Sequence, residues 1–298
     1  MPVDKICVSG DARIQYQSAT LNGHKYSYLL SQPQSGKYRA TIFLIHGFPD
    51  ISMGWRYQIP MLVDLGLRVV APDCLGYGRT EAPDDFVYYS HKRCANDMKL
   101  LASHLGESKI ILGGHDWGAG LAYRIALWHP ELISHLFTVC VPYARPQPQY
   151  LPLEDLVRNA APHFAYQLQF ASGDLEKVIH SKTDIRQFLC ALYGGRTEKG
   201  EVGFDAEKGV LLDKVSALKP SRLLSEEITI PVLFIQALKD QALPPHLGKS
   251  MAKHLPNLTL KQVNASHWAL WEKPEEVNTI ISTWLKDVVC ADGRSGKL

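Results

Sequence analysis

The feature that most constrains this 298-residue chain is an alternation of short apolar runs with helical patterns, broken once and then resumed. Lys25 to Ser31 (KYSYLLS) reads as a strand. Ala40 to Ile45 (ATIFLI) reads as a strand buried on both faces, because a run so apolar leaves no polar side to face water. A helical pattern around Trp55 to Leu65 follows, then a strand at Arg68 to Ala71, a helix over Ser90 to Leu105 and a strand at Lys109 to Gly113. A helix over Ala119 to Trp128 and a strand over Ile133 to Val141 complete the first stretch. Strand, helix, strand at this rhythm implies parallel pairing with right-handed crossovers, and so an α/β fold.

The rhythm stops at Pro142. From there to about Glu227 the chain is rich in prolines and helical patterns and offers no good buried strand, which reads as an inserted helical lid. Strands and helices then resume with Pro231 to Ala237 (PVLFIQA), a helix over Pro245 to His254, a strand at Leu258 to Val263 and a terminal helix over Glu275 to Val289. Neither stretch has enough strands to close a core alone, so both belong to one sheet. The expected organisation is a core of residues 1–142 and 230–298 with a lid of residues 143–229.

Composition excludes several classes of function. With 32 lysines and arginines against 30 acidic residues, the chain carries no field to draw nucleic acid or an anionic membrane, and a small, nearly neutral ligand fits better. Its six cysteines are far apart, without CxxC pairs or metal-ligand spacing, and are expected to be reduced thiols. The start MPVDKICVSGD lacks the apolar stretch of a signal peptide and no apolar run is long enough to span a membrane, so the expected compartment is the cytoplasm. Gly296-Lys297-Leu298 is loosely similar to a peroxisomal address, with glycine where a small polar residue is expected.

Chemistry concentrates in four places. In KIILGGHDWGA (Lys109 to Ala119), Asp116 sits between a buried strand and a helix with Gly114 two before it and Gly118 two after. That spacing permits a strained turn lifting the central side chain above the sheet, here with aspartate where lipases carry serine. A carboxylate suits attack on saturated carbon, since the resulting ester can be cleaved by water; as a competing reading, Asp116 would only cap the helix. His267 in NASHWALW, one of 12 histidines, is selected because it follows the last strand and so points toward the site of an open sheet, where it can act as general base. Asp240 in ALKDQAL lies 27 residues earlier and completes the order nucleophile, acid, histidine, with the acid orienting the base. His46-Gly47-Phe48-Pro49 follows a buried strand, either as an ordinary turn or as a turn whose Phe48 amide joins that of Trp117 in an oxyanion hole.

Together HGFPD (His46 to Asp50), APDCLGYGRT (Ala71 to Thr80), GGHDWGA (Gly113 to Ala119) and SHWALWEKP (Ser266 to Pro274) resemble the soluble epoxide hydrolases of the α/β-hydrolase superfamily, a likeness running from about Leu21 to Val289. The resemblance implies an α/β-hydrolase fold and a two-step reaction without metal or organic cofactor. Asp116 opens an epoxide to form an ester, and His267, paired with Asp240, activates the water that releases a vicinal diol. It further implies that the substrate is a small apolar epoxide, that His46, Pro49 and Trp268 line its site, and that Tyr166, in PHFAYQLQF, donates to the ring oxygen. The sequence leaves the oligomeric state open, a homodimer included.

The sequence departs from this family in its lid. Where the family continues through further helix to a second tyrosine, Glu227 here runs through Ile228-Thr229-Ile230 straight into the strand at Pro231, and no tyrosine follows Tyr193. Losing one preorganised donor typically costs about 10² to 10³ in rate, so reduced activity is expected. Two alternatives stand beside the epoxide reading: a small-molecule-binding homologue without useful turnover, and a haloalkane dehalogenase, which also uses HDWG but usually has Asn where this chain has Phe48.

Overall fold

The computed structural model describes residues 3–147, 149, 151–177, 179–193, 204, 206 and 230–290. Residues 220–229, where the sequence suggests a shortened lid, and the terminal Gly296-Lys297-Leu298 lie outside the described residues. The chain divides into two compact units, one of Met1–Arg145, Leu224–Lys239 and Pro245–Leu298, the other of Pro146–Leu223 and Asp240–Pro244.

The first unit is built on eight strands: β1 (Gln15–Leu21), β2 (His24–Ser31), β3 (Ala40–Ile45), β4 (Leu67–Pro72), β5 (Ile110–His115), β6 (Ile133–Val139), β7 (Val232–Ala237) and β8 (Leu258–Val263), in the order β1-β2-β4-β3-β5-β6-β7-β8. Pairing from β4 to β8 is parallel, whereas β1 with β2 and β2 with β4 are antiparallel. Strand β1 lies outside the alternation read from the sequence: it is an edge strand of mixed burial, and its QYQSATL is mostly polar.

The apolar runs follow from two cores, one on each sheet face. Successive side chains of a strand point to opposite faces. Accordingly Phe43, Ile45, Leu112 and Phe234 join one cluster while Ile42, Leu44, Ile111, Leu233 and Ile235 join the other. Helices α2 (His91–His104) and α3 (Trp117–Trp128) supply Met98, Leu101, Leu121 and Ile125 to the first cluster. Helix α1 (Ile59–Asp64) supplies Ile59 and Leu62 to the second, and the terminal helix (Pro274–Leu285) supplies Val277 and Ile281. Segment Pro245–Lys253, within the helix expected over Pro245 to His254, is a 3-10 helix.

In the second unit the described elements are helical: α4 (Leu153–Asn159), a 3-10 turn (Pro162–Phe164), α5 (Ala165–Phe170) and α6 (Lys182–Leu192). Rings of Tyr166, Phe170, Phe188 and Phe204 pack edge to face within it. Among the described residues, no helix is long and apolar enough to cross a membrane.

Candidate active site

Strand β3 has β4 on one side and β5 on the other, so the strand order reverses there, the position beyond whose carboxyl ends open α/β sheets hold their ligands. Ile45 of β3 pairs with Gly114 of β5, which brings the turns His46–Asp50 and His115–Trp117 together above the sheet. Asp116 has φ +52°, a conformation costly for any residue with a side chain. Close approach is what demands the glycines. A Cβ on Gly118 would lie 2.3 Å from the Ile45 carbonyl oxygen, and one on Gly114 would lie 2.6 Å from that of Gly118.

The turn delivers a buried carboxylate whose two oxygens meet different partners. Phe48 N–H donates to Oδ1 at 2.8 Å, while Oδ2 lies 3.2 Å from His267 Nε2. Burial raises the Asp116 pKa, but the hydrogen bond from His267, the charges of His267 and His115, and the Trp117 N–H outweigh it and hold the group below its ordinary value. It is therefore an anion at neutral pH. The Trp117 indole itself is exposed.

The turn after β3 is held from beneath. His46 is buried; its Nδ1 lies 2.9 Å from the Gly47 carbonyl oxygen, and Cys74 N–H donates to Nε2 at 2.9 Å. A carbonyl only accepts, so Nδ1 carries the proton and the ring is neutral, in agreement with a pKa lowered by burial. Both ring nitrogens are thus bonded to backbone. Phe48–Pro49 is a cis peptide. Beyond it, burial pushes the pKa of Asp50 up to about 7, with the nearby Asp116 and Asp73 carboxylates adding to the rise.

His267 stands four residues beyond β8 in a loop pinned at several points. Lys239 N–H donates to the Ala265 carbonyl at 2.9 Å, Glu272 accepts from Ser266 N–H at 2.9 Å and from its hydroxyl, and Ser266 Oγ accepts from Trp268 N–H at 3.3 Å. The Trp268 ring stacks on Trp271 at 5.5 Å. The His267 carbonyl oxygen lies 3.0 Å from His115 Nε2 and accepts from the Cys140 thiol at 3.2 Å. Sequence reasoning does not single out His115, Cys140 or Glu272. The visible signal is that His115 adjoins Asp116 and Glu272 lies in the quoted SHWALWEKP.

Asp240 follows Lys239 just past β7; it is buried and its Oδ1 accepts from Leu243 N–H at 2.9 Å. In the second unit, Tyr166 lies in the first turn of α5, with its hydroxyl accepting from Gln167 Nε2 at 3.3 Å.

A strained turn bearing an acid at the reversal point of a mostly parallel sheet defines an α/β hydrolase, and the family model described as "alpha/beta hydrolase fold" matches residues 40–274. An epoxide hydrolase of Neurospora crassa, srdG, is 34% identical over 93% of this chain and 96% of that protein. The bifunctional epoxide hydrolase 2 of rat is 30% identical over 82% of this chain, which spans only 51% of the rat protein. Among solved structures, an epoxide hydrolase from Vigna radiata shares the fold with a TM-score of 0.74 at 21% identity, covering 93% of this chain and 99% of that one. The chain belongs to the epoxide hydrolase family of α/β hydrolases.

Proposed function

We propose that this protein hydrolyses a small apolar epoxide to a vicinal diol through an ester on Asp116. The observation that carries the reading is that the two carboxylate oxygens have different partners, Oδ1 the Phe48 amide at 2.8 Å and Oδ2 the His267 ring at 3.2 Å, and in this reading Oδ2 is the one that attacks. Oδ2 displaces the ring oxygen from carbon, and the Tyr166 hydroxyl donates to that oxygen as the C–O bond breaks. His267 then takes a proton from water, which attacks Cγ of Asp116. Negative charge gathers on Oδ1 against the Phe48 and Trp117 amides, and collapse expels the diol with Oδ2 in it. Asp240 is assigned to orient His267: β7 and β8 pair in register with Ala237 opposite Val263, and the two residues follow these neighbouring strand ends. His46 serves by fixing the turn, while Pro49 and Trp268 line the site.

Residues 143–229 act as the lid in this reading, and the lid is shortened. In support, the alignment with the Neurospora protein runs over 331 positions, more than the 298 residues of this chain, so part of it faces no residue here. One tyrosine then serves where the family uses two, and turnover is correspondingly slow.

The test is a single turnover of styrene oxide with excess enzyme in ¹⁸O-water. Label is expected in Asp116 after one turnover, and in the diol only after many. In the His267→Gln variant the ester should persist as an adduct of the epoxide's mass. Label appearing directly in the first diol, with none in Asp116, rules out the ester route.

A further inference from the structure

We infer that His115 is a positioning residue, which with the Cys140 thiol clamps the backbone oxygen of His267 and thereby fixes the base against the nucleophile. This rests on the assignment of His267 as general base. The His267 oxygen can only accept, so the contact at 3.0 Å requires that Nε2 of His115 carry the proton and donate. Cys140 donates from the opposite neighbour of β5, at the end of β6, from a backbone with φ +71° that few side chains adopt. His115 itself is buried, and its ring lies 5.3 Å from that of His267.

Chain geometry explains why this position matters. His115 is the last residue of β5, and Asp116 is the next. A side chain one peptide from the nucleophile therefore grips the backbone of the base, so the separation of the two reacting groups is set by a single short link rather than by a path around the sheet. The backbone ties through Ala265 and Ser266 hold the loop to Lys239 and Glu272, not to the turn that bears Asp116. The clamp bears on one step only. Ring opening uses the carboxylate, whereas ester hydrolysis needs the imidazole to face the attacking water.

The experiment compares wild type, H115A, H115Q and C140A in the full chain, using styrene oxide under single-turnover conditions with adduct followed by intact mass, alongside ¹⁵N-histidine spectra of the unliganded proteins. In H115A, ester formation should stay within about threefold of wild type while ester decay slows by about ten- to a hundredfold, the scale of a catalytic group displaced by an ångström. H115Q presents an uncharged N–H at similar reach, so it should recover most of the decay rate. C140A should slow decay less, since a thiol is a weak donor. The His267 ring signals should move in H115A and return in H115Q.

Equal slowing of both steps in H115A, or an H115Q variant as slow as H115A, overturns the clamp and leaves His115 a packing residue. If wild type forms neither adduct nor diol, the epoxide reading fails. The clamp is then decided by the spectra alone: His267 signals unchanged in H115A refute it.

Discussion

Replacing Gly47 with alanine tests whether the oxyanion turn and the nucleophile are held by direct contact. Gly47 is not in a left-handed conformation, so alanine costs nothing in backbone strain there. Its Cβ, however, would lie 2.3 Å from Asp116 Oδ1 and 2.4 Å from Asp116 Cβ. Nothing at those distances can be accommodated, and the obstruction falls on the oxygen that Phe48 N–H reaches at 2.8 Å. Either the turn or the elbow moves, and the amide loses its alignment. Overpacking of this kind costs about 1 to 3 kcal/mol. At roughly 2 to 4 °C per kcal/mol for domains somewhat smaller than this one, that is a fall in Tm of roughly 5 °C. Loss of one oxyanion donor lowers the rate by about 10² to 10³, far beyond what the stability change explains at 25 °C. The control is Gly120→Ala in α3, where an added Cβ meets nothing within 4 Å and helix propensity favours alanine. Calorimetry and single-turnover kinetics on both variants decide it. Wild-type rate and Tm in Gly47→Ala, or equal damage in Gly120→Ala, refute the contact argument.

Asp50 should make stability depend on pH. Its folded pKa of about 7 stands above the ordinary 3.8, so the folded state holds a proton that the unfolded chain releases, and stability declines as pH rises from about 4 to 7. Asp50→Asn lacks that proton, so the Tm of the variant minus that of wild type should grow over this window and level off above it; a difference flat with pH contradicts the buried-acid account. For Tyr166→Phe, ring opening should slow by about 10² to 10³ with ester decay unchanged, read by rapid-mix mass spectrometry. Slowed decay with normal ring opening would remove Tyr166 from the first step.

What the sequence reveals depends on how local the cause is. Strands β3 and β7 are legible almost to the residue because a strand buried on both faces must be apolar along its length, and ATIFLI and VLFIQA are nearly so. By contrast β1 has one face outward, and Gln15, Gln17, Ser18 and Thr20 hide its pattern. The elbow is legible for a steric reason, since Gly118 lies against the Ile45 and His46 carbonyls and nothing larger fits. His267 and Asp240 are singled out by chain order alone. His115 and Cys140 escape because each acts on a backbone oxygen more than a hundred residues away, and a carbonyl leaves no mark in the sequence.

The distribution of strain supports the same division. Asp116 and Cys140 are two of the three non-glycine residues with positive φ among those described, and they stand just beyond adjacent strands β5 and β6. Both touch His267, one through its ring and the other through its carbonyl oxygen. Strained backbone persists only where the surroundings over-determine it. Here a neutral His46 beneath the turn, the packed glycines of the elbow and the Glu272 tie on Ser266 supply that over-determination. Asp116, His267 and the Phe48 and Trp117 amides lie within one compact unit, whereas Asp240 and Tyr166 belong to the other. In the proposed reaction, ring opening draws in addition on Tyr166. A shortened lid would then weaken the first chemical step and leave the second intact.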